Sequence, residues 1–506
     1  MKNIISNPLP LNFVEYIKKV GVLQPIIENK NLIKIDKSSV FLYLATEHEN
    51  CMGFVMSKLM VSVAGIRGIV GETFTPDVIV RYVSAYSRLL KEGPVVVGRD
   101  TRPSGRAISD LVCSVLNMCG RNAIDINIAT TPTVAMAIEY YGAAGGIAIT
   151  ASHNPSEWNA LKFMDEKTLF LNEYQGEKLH YLLTENRFMF APHDGIGSYI
   201  FDENEESKKY HIRRVLDIPY INKSDIRKRA FKVAIDCVNG AGSVILPELL
   251  LDLGCSVTKI NSEPNGIFPH GAEPLPENLT GICDLIKSGN FDIGMVVDPD
   301  SDRLALIDEN GVPMGEEYTL AMAVDLVLSK KSSDIAINVS SSLATEEVAA
   351  RYGAKTYRTK VGEINVSTIM LEKELVIGGE GNGGIILPEI HPGRDALVGA
   401  ALILQYMTEK DRFISDIKKD LPPYVIVKDK VSVEGINFDA KINQITKNVP
   451  ESELDLTDGV KINGSGFWVQ LRKSNTEPIV RIFAESATEN EALSLVKKYK
   501  EMIIGS

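Results

Sequence analysis

The segment DIGMVVDPDSDR (residues 292–303) places a short apolar strand directly before a loop with three aspartates. The apolar residues 294–297 are typical of a buried strand. In sheets built from parallel strands, ligands bind in the loops that follow the strand ends. The segment therefore predicts both a strand of an α/β sheet and a site at the edge of that sheet.

The same pattern of a strand followed by a polar loop recurs along the chain. It is found in residues 94–100, 146–155, 232–242, 334–342 and 375–384. Amphipathic helical stripes flank the first of these units, and one begins at Thr75-Pro76, a favourable N-cap and first-turn pair. Apolar strands alternating with such helices predict α/β units with largely parallel sheets.

The C-terminal region follows a different pattern. Residues 467–472 and 479–485 read as two strands, and a helix follows them, opened by a capping box from Thr488 to Glu491. We expect a smaller α+β domain there. The domains predicted from the sequence are 1–55 (an extension of unknown role, read as a misassigned start or a weakly ordered segment), 56–205, 206–311, 312–422 and 423–506.

Composition limits the class of protein. Of the 506 residues, 44% are hydrophobic and 24% charged, which is ordinary for a globular protein, and the net charge of −12 argues against a general nucleic-acid binder. The six cysteines form no CxxC pair, no apolar run approaches the ~20 residues that span a bilayer, and no secretion signal is evident. These features predict a cytoplasmic protein that binds neither nucleic acid nor membrane.

The aspartate segment is the strongest metal candidate. Asp298, Asp300 and Asp302 would repel one another unless a cation neutralised them, and oxygen ligands suit Mg²⁺ or Ca²⁺. A calcium EF-hand is the competitor, but Arg303 stands where its turn needs glycine, and strands flank the loop instead of helices. A solvated acidic turn is disfavoured by the apolar residues on either side.

TASHNP, residues 150–155, follows the apolar strand of residues 147–149. It exposes Ser152 in a tight loop, where His153 and Asn154 can donate hydrogen bonds to an anion. An ordinary turn rich in Ser, Asn and Pro is the alternative, which this hexapeptide alone does not exclude. No GxSxG motif surrounds Ser152, so an α/β-hydrolase has little support.

Two further segments are candidates for ligand binding. GEGNGG (379–384) lacks both the Walker A and the GxGxxG spacing, so either sugar recognition by Glu380 or a plain glycine-rich hairpin accounts for it. RKSNTEP (472–478) with Arg481 combines guanidinium, hydroxyl and amide groups that suit a phosphate monoester, although Ser-Asn-Thr also makes ordinary turns.

Taken in this order, the four motifs resemble those of the α-D-phosphohexomutases, the family of phosphoglucomutases, phosphomannomutases and phosphoglucosamine mutases. The resemblance covers nearly the whole chain from about Met60. It implies three α/β domains with mixed or parallel sheets and a smaller C-terminal α+β domain around a central cleft. It also implies a hexose phosphate as substrate, Mg²⁺ as cofactor, a hexose 1,6-bisphosphate as intermediate and activator, and a monomer or homodimer.

The resemblance also implies roles for individual residues. Ser152 would carry the phosphoryl group, and the implied metal ligands are a phosphoserine oxygen of Ser152, Asp298, Asp300 and Asp302. The other implied catalytic residues are Arg67, His153, Arg303 and Lys162, the last as proton carrier. The implied substrate-binding residues are Glu380 and Asn382, with Arg472, Ser474, Asn475, Thr476 and Arg481 around the non-reacting phosphate.

Two departures from the common bacterial pattern bear on the substrate. Asn382 and Gly384 occupy the Ser and His positions of GEMSGH, and Glu363 stands where many relatives have His. Proton carriers inferred from those histidines cannot be transferred, which leaves Lys162. The GEGNGG and VGE forms resemble archaeal-type phosphoglucosamine mutases, so that activity is expected, with phosphomannomutase/phosphoglucomutase as the alternative. An inactive sugar-phosphate-binding protein and a phosphatase are the competing classes.

Overall fold

The described residues form four sheets, each with its own helices, and the first three of these units are called layers. The first layer contains a seven-stranded mixed sheet. The computed structural model describes residues 59–62, 64–474 and 479–505, so the predicted extension 1–55 lies outside the described residues. In chain order this layer contains β1 (Met60–Ser62), β2 (Gly65–Ile69), α1 (Pro76–Leu89), β3 (Val95–Arg99), α2 (Gly105–Met118), β4 (Ala123–Ile128), α3 (Thr131–Tyr141), β5 (Gly145–Ile149), β6 (Trp158–Asp165), α4 (Glu173–Thr184) and β7 (Tyr199–Phe201). The strand order is β1-β2-β6-β5-β3-β4-β7, with β5, β3, β4 and β7 parallel.

A four-stranded sheet forms the second layer. Its elements are α5 (Glu206–Leu216), α6 (Lys223–Arg229), β8 (Lys232–Asp236), α7 (Leu246–Asp252), β9 (Ser256–Ile260), α8 (Thr280–Ser288), β10 (Ile293–Val297) and β11 (Leu304–Ile307). The order is β11-β10-β8-β9, and only β11 runs antiparallel to its neighbour. All five residues of β10, IGMVV, are buried, as the apolar run predicts.

The third layer holds a five-stranded sheet. It contains α9 (Glu316–Lys330), β12 (Ile335–Asn338), α10 (Leu343–Ala350), β13 (Thr356–Thr359), α11 (Glu363–Glu372), β14 (Ile377–Glu380), β15 (Gly384–Leu387), β16 (His391–Arg394), α12 (Ala396–Lys410) and α13 (Ile414–Lys418). The order is β13-β12-β14-β15-β16, with the first three strands parallel. Helix α12 is buried over Ala396–Met407 because it packs against α5, α9 and β15, between the second and third layers.

An antiparallel sheet ends the chain. It contains β17 (Val425–Ser432), α14 (Phe438–Thr446), β18 (Leu454–Asp455), β19 (Val460–Gly464), β20 (Phe467–Lys473), β21 (Ile479–Ser486) and α15 (Glu489–Ile504), in the strand order β17-β21-β20-β19-β18. The mixed sheets and this α+β unit confirm the predicted fold class, whereas the predicted domain boundaries stay predictions. Within the described ranges, no helix combines the length and apolarity needed to cross a membrane.

A buried polar cluster connects the first three layers. Nε2 of His211, on α5, and Nε2 of His391, on β16, lie 2.8 and 3.1 Å from Oδ2 of Asp395. Nδ1 of His211 lies 3.0 Å from the hydroxyl of Thr133, on α3. Asp395 also caps α12 by accepting from two backbone N–H groups. Buried polar groups that are all paired fix one arrangement of the elements that carry them.

Candidate active site

A pocket of about 290 Å³ lies where loops of the first three layers meet. Five residues predicted from the sequence line it: Arg67 on β2, Ser152 and His153 after β5, Lys162 on β6 and Arg303 after β10. The third layer adds Glu363, the first residue of α11, and Arg394, the last residue of β16. The fold thus places the serine loop and the end of the aspartate segment at one cavity.

Ser152 stands at a strained turn just after β5. Its φ is 51°, in the left-handed region that favours glycine, and the residue is buried. The hydroxyl donates to Oδ2 of Asp298 at 3.1 Å and lies 3.4 Å from Nδ1 of His153. Strained backbone persists where surrounding contacts fix it, and it concentrates at functional sites. The turn therefore holds the serine hydroxyl beside the aspartates.

A buried guanidinium that the sequence motifs did not single out, that of Arg102, holds this turn in place. It donates to the backbone carbonyl groups of Ser152, Asn154, Pro155 and Trp158 at distances of 2.5–3.1 Å. Its Nε lies 3.0 Å from Oδ2 of Asp100, and both side chains are fully buried. The sequence feature that could have identified Arg102 is its place in GRDTR (98–102), where polar residues follow a buried strand.

Replacing Arg102 by methionine is expected to lower the midpoint of the first thermal unfolding transition markedly. Loss of one partner leaves the Asp100 carboxylate buried without its counter-charge and frees the Ser152 turn, at a cost of about 3–5 kcal/mol. Differential scanning calorimetry measures the shift. Arg106→Met is the matched control, because the Arg106–Asp110 pair is exposed and worth less than about 1 kcal/mol. Equal shifts in the two variants would contradict the role given to Arg102.

The three predicted aspartates form a buried cluster between β10 and β11. Asp298, Asp300 and Asp302 are each 0% exposed, and one oxygen from each lies within 4.8 Å of the others. Among the described residues, Oδ1 of Asp300 and Oδ1 of Asp302 have no hydrogen-bond partner. Unpartnered, buried carboxylate oxygens at this spacing fit a hard divalent cation such as Mg²⁺.

The surrounding groups shift the pKa values of Asp298 and Asp300 in opposite directions. Burial, with repulsion from Asp302 and Asp300, raises the pKa of Asp298 well above its usual value. Burial alone would raise the pKa of Asp300 too, but the ammonium of Lys162 lies 2.6 Å from its Oδ2 and holds that pKa below the usual range. One lysine thus partly neutralises the charge of the aspartate cluster.

Backbone hydrogen bonds clamp the aspartate loop (residues 298–303) between two other layers. The N–H of Thr131, at the start of α3, donates to the carbonyl of Asp300 at 3.0 Å, and its hydroxyl donates to Oδ2 of the same residue. The N–H of Ala396, at the start of α12, donates to the carbonyl of Ser301 at 3.2 Å. The loop is therefore positioned by the first and third layers as well as by its own sheet.

His153 is held as a neutral hydrogen-bond acceptor. Burial and the nearby charge of Arg303 lower the pKa of His153 to about 4. Nη2 of Arg303 lies 3.2 Å from Nδ1 of His153, and Nη1 donates to Glu273 at 2.8 Å. Glu273 lies in no motif that the sequence singled out. The histidine therefore helps to place Arg303 in the pocket wall.

The glycine-rich loop lies beside the pocket, and its predicted sugar contacts are engaged within the protein. Glu380 is 3% exposed and accepts hydrogen bonds from Asn338 Nδ2 and the N–H of Gly362, both at 2.8 Å. Oδ1 of Asn382 accepts from the N–H of Gly384 at 3.2 Å. Neither Glu380 nor Asn382 lines the cavity described above.

Arg394 connects the three acidic segments of the site. It donates to Asp302 at 2.5 Å, to Glu380 at 2.7 Å and to Glu363 at 3.0 Å. Burial alone would lower the pKa of Arg394, but the carboxylates, Asp302 foremost, hold it well above its usual value. Nothing in the local sequence of β16 indicates this role, because its partners lie in other segments.

The described members of the C-terminal cluster, Arg472, Ser474 and Arg481, lie on or next to strands of the fourth sheet and do not line this cavity. Arg472 and Arg481 face each other directly across β20 and β21, and Nε of Arg472 lies 3.0 Å from Asp458. Like charges in such cross-strand positions repel, so an anion between them is stabilising. Ser474 lies directly after β20, whereas Asn475 and Thr476 lie outside the described residues. None of the described members lines the pocket of Ser152.

Family models match most of the chain in the order of its layers. The phosphoglucomutase/phosphomannomutase alpha/beta/alpha domain I model matches residues 58–189, domain II matches 209–311 and domain III matches 314–424. These domains are the segments that carry the serine turn, the aspartate loop and the glycine-rich loop.

Two curated relatives and one solved structure extend the match over nearly the full length. A phosphoglucomutase/phosphomannomutase of Thermococcus kodakarensis is 37% identical over 85% of this chain and 94% of its own length. A probable phosphoglucosamine mutase of Methanopyrus kandleri is 31% identical over 87% of this chain and 96% of its own. An X-ray structure of a phosphoglucomutase/phosphomannomutase family protein from Burkholderia thailandensis shares the fold, with a TM-score of 0.76 at 22% identity over 88% of this chain and 99% of that one. The chain therefore belongs to the phosphoglucomutase/phosphomannomutase family of α-D-phosphohexomutases, which are isomerases.

Proposed function

We propose that this phosphohexomutase interconverts a hexose 6-phosphate and a hexose 1-phosphate through a phosphorylated Ser152. The observation that carries the proposal is the position of the serine hydroxyl, 3.1 Å from Asp298 in the buried aspartate cluster. A hydroxyl there is next to the carboxylates that would hold a divalent cation. Arg67 and Arg303 line the same pocket and supply donors for phosphoryl oxygens.

Asp298, Asp300, Asp302 and a phosphoserine oxygen would hold Mg²⁺. When bound, the ion supplies positive charge that stabilises the phosphoryl group during its transfer and the serine oxygen as it leaves. Lys162 is proposed as a proton carrier, because its ammonium group lies in the pocket wall beside Asp300. Phosphate-monoester transfer is so slow unaided that these groups together must remove on the order of 20 kcal/mol from the barrier.

The reaction proceeds in two transfers. Phosphoserine gives its phosphoryl group to the free hydroxyl of the sugar phosphate, which yields a hexose 1,6-bisphosphate. The bisphosphate reverses its orientation in the site and returns its other phosphoryl group to Ser152. The phosphate that does not react is held by the cluster of the fourth sheet, namely Arg472, Ser474, Asn475, Thr476 and Arg481, and the sugar is contacted by Glu380 and Asn382.

The preferred substrate is proposed to be glucosamine phosphate. Support comes from the GEGNGG and VGE sequences and from the relatives named as probable phosphoglucosamine mutases. The alternative, a phosphoglucomutase/phosphomannomutase, is favoured by the name of the 37% identical Thermococcus relative. The two alternatives differ in the sugar and share the mechanism.

Phosphorus NMR distinguishes these substrates directly. The protein is incubated with Mg²⁺ and a trace of hexose bisphosphate, and glucosamine-, glucose- and mannose-6-phosphate are added in separate reactions. We expect the 1-phosphate of the amino sugar to form fastest. Faster conversion of glucose or mannose would keep the mechanism and overturn the substrate, whereas release of free phosphate without isomerisation would indicate a phosphatase.

A further inference from the structure

The proposed transfer needs a group that accepts a proton as well as one that donates it. The attacking sugar hydroxyl loses its proton as its oxygen bonds to phosphorus. The ammonium of Lys162 has three donors and no acceptor, so it suits the leaving serine oxygen. The acceptor nitrogen Nδ1 of His153 already faces Nη2 of Arg303 at 3.2 Å. A different residue of the pocket must therefore take the hydroxyl proton.

Glu363 is the only carboxylate among the described residues that line the pocket. It begins α11, and its side chain is 11% exposed. Oε2 accepts a hydrogen bond from Nε of Arg394 at 3.0 Å, while Oε1 has no hydrogen-bond partner among the described residues. One oxygen thus fixes the carboxylate in the wall, and the other is available to a ligand.

We propose that Glu363 is a catalytic base that accepts the proton of the attacking sugar hydroxyl. This inference rests on the proposed mutase function. As the hydroxyl oxygen bonds to phosphorus, the bond between phosphorus and Ser152 Oγ breaks, the hydroxyl proton passes to Glu363, and Oγ takes a proton from Lys162. The return transfer reverses both movements, so each group ends the cycle as it began.

The environment of Glu363 suits this role. Burial raises its pKa to about 7, so the carboxyl exchanges a proton readily near neutral pH. The charged groups that face it come from four other segments. They are Arg394 on β16 and Lys162 on β6, which lower its pKa, and Asp302 in the aspartate loop and Glu380 on β14, which raise it.

Glu363→Gln tests the proposal. The glutamine retains the size of the side chain and an oxygen that can accept from Arg394, but it cannot take a proton. We expect kcat to fall by roughly 100-fold or more with KM little changed. The contribution of Glu363 to the acid limb of the kcat/KM profile near pH 7 should also disappear, since activity in the wild type is lost as Glu363 becomes protonated. The ionisation of the substrate phosphate is common to both enzymes and cancels in the comparison.

Two further variants make the result decisive. Glu363→Asp retains a carboxylate and is expected to recover part of kcat together with an acid limb, whereas Glu372→Gln, at the exposed end of the same helix, should behave as wild type. A Glu363→Gln enzyme whose acid limb matches that of the wild type would overturn the base assignment, whatever its kcat. Failure of the mutase proposal would look different, because the wild type itself would then interconvert no sugar phosphates.

Discussion

Ser152→Ala is expected to lose mutase activity by at least ~10⁴-fold, since removal of a covalent nucleophile disables the whole catalytic unit. The alanine provides no oxygen to hold the phosphoryl group between the two transfers. The fold should survive, because Arg102 contacts only the backbone carbonyl of residue 152, which the substitution retains. Conversion of sugar 6-phosphate to 1-phosphate by phosphorus NMR measures the loss.

Ser156→Ala is the matched control for this prediction. Ser156 is exposed and lies four residues further along the same loop, so its loss should leave turnover unchanged. Intact-mass spectrometry after incubation with hexose bisphosphate adds a second readout: one phosphate should appear on the wild type and on Ser156→Ala, and none on Ser152→Ala. Near-normal turnover by Ser152→Ala would contradict the phosphoserine mechanism.

Asp298→Asn is expected to abolish the stabilisation of the protein by Mg²⁺. A ligand that binds the folded state alone stabilises it by about 2.7 kcal/mol at a concentration of 100 Kd, so the wild type should melt at a higher temperature when Mg²⁺ is added. In the metal-free protein the substitution relieves repulsion from Asp300 and Asp302 in a buried site, so the variant should be no less stable. Thermal melts with Mg²⁺ and with EDTA separate the two effects.

The same variant should lose catalytic activity together with metal binding. Charge stabilisation by a bound ion is worth several kcal/mol, so we expect at least a ~10³-fold loss of turnover. Asp284→Asn, on the exposed face of α8, is the control and should retain both activity and the Mg²⁺ response. An Asp298→Asn protein that kept the full rise in melting temperature with Mg²⁺ would remove Asp298 from the metal site.

The sequence predicted those parts of the site in which chemistry and local structure coincide. Asp298 follows β10 directly and Ser152 lies three residues after the end of β5, and loops after strand ends are where α/β sheets bind ligands. The fold class was predictable for the same reason, because strand and helix periodicities are properties of short segments.

The remaining parts depend on contacts between distant segments. Arg394 meets Asp302 across 92 residues of chain, and Arg102 reaches the carbonyl of Ser152 across 50. No spacing rule connects such positions in one sequence. The engagement of Glu380 by Asn338 and Gly362 was equally invisible, although the loop that carries it was identified.

The hydrogen bonds that hold the aspartate loop constrain which domains of such a protein can be exchanged by recombination. Thr131 and Ala396 hold that loop from two other domains, and the polar cluster around Asp395 joins the same three. A recombination event that exchanged one of these domains for that of a distant relative would separate matched hydrogen-bond partners and leave buried polar groups unpaired. The three α/β domains are therefore expected to pass through evolution as a linked block.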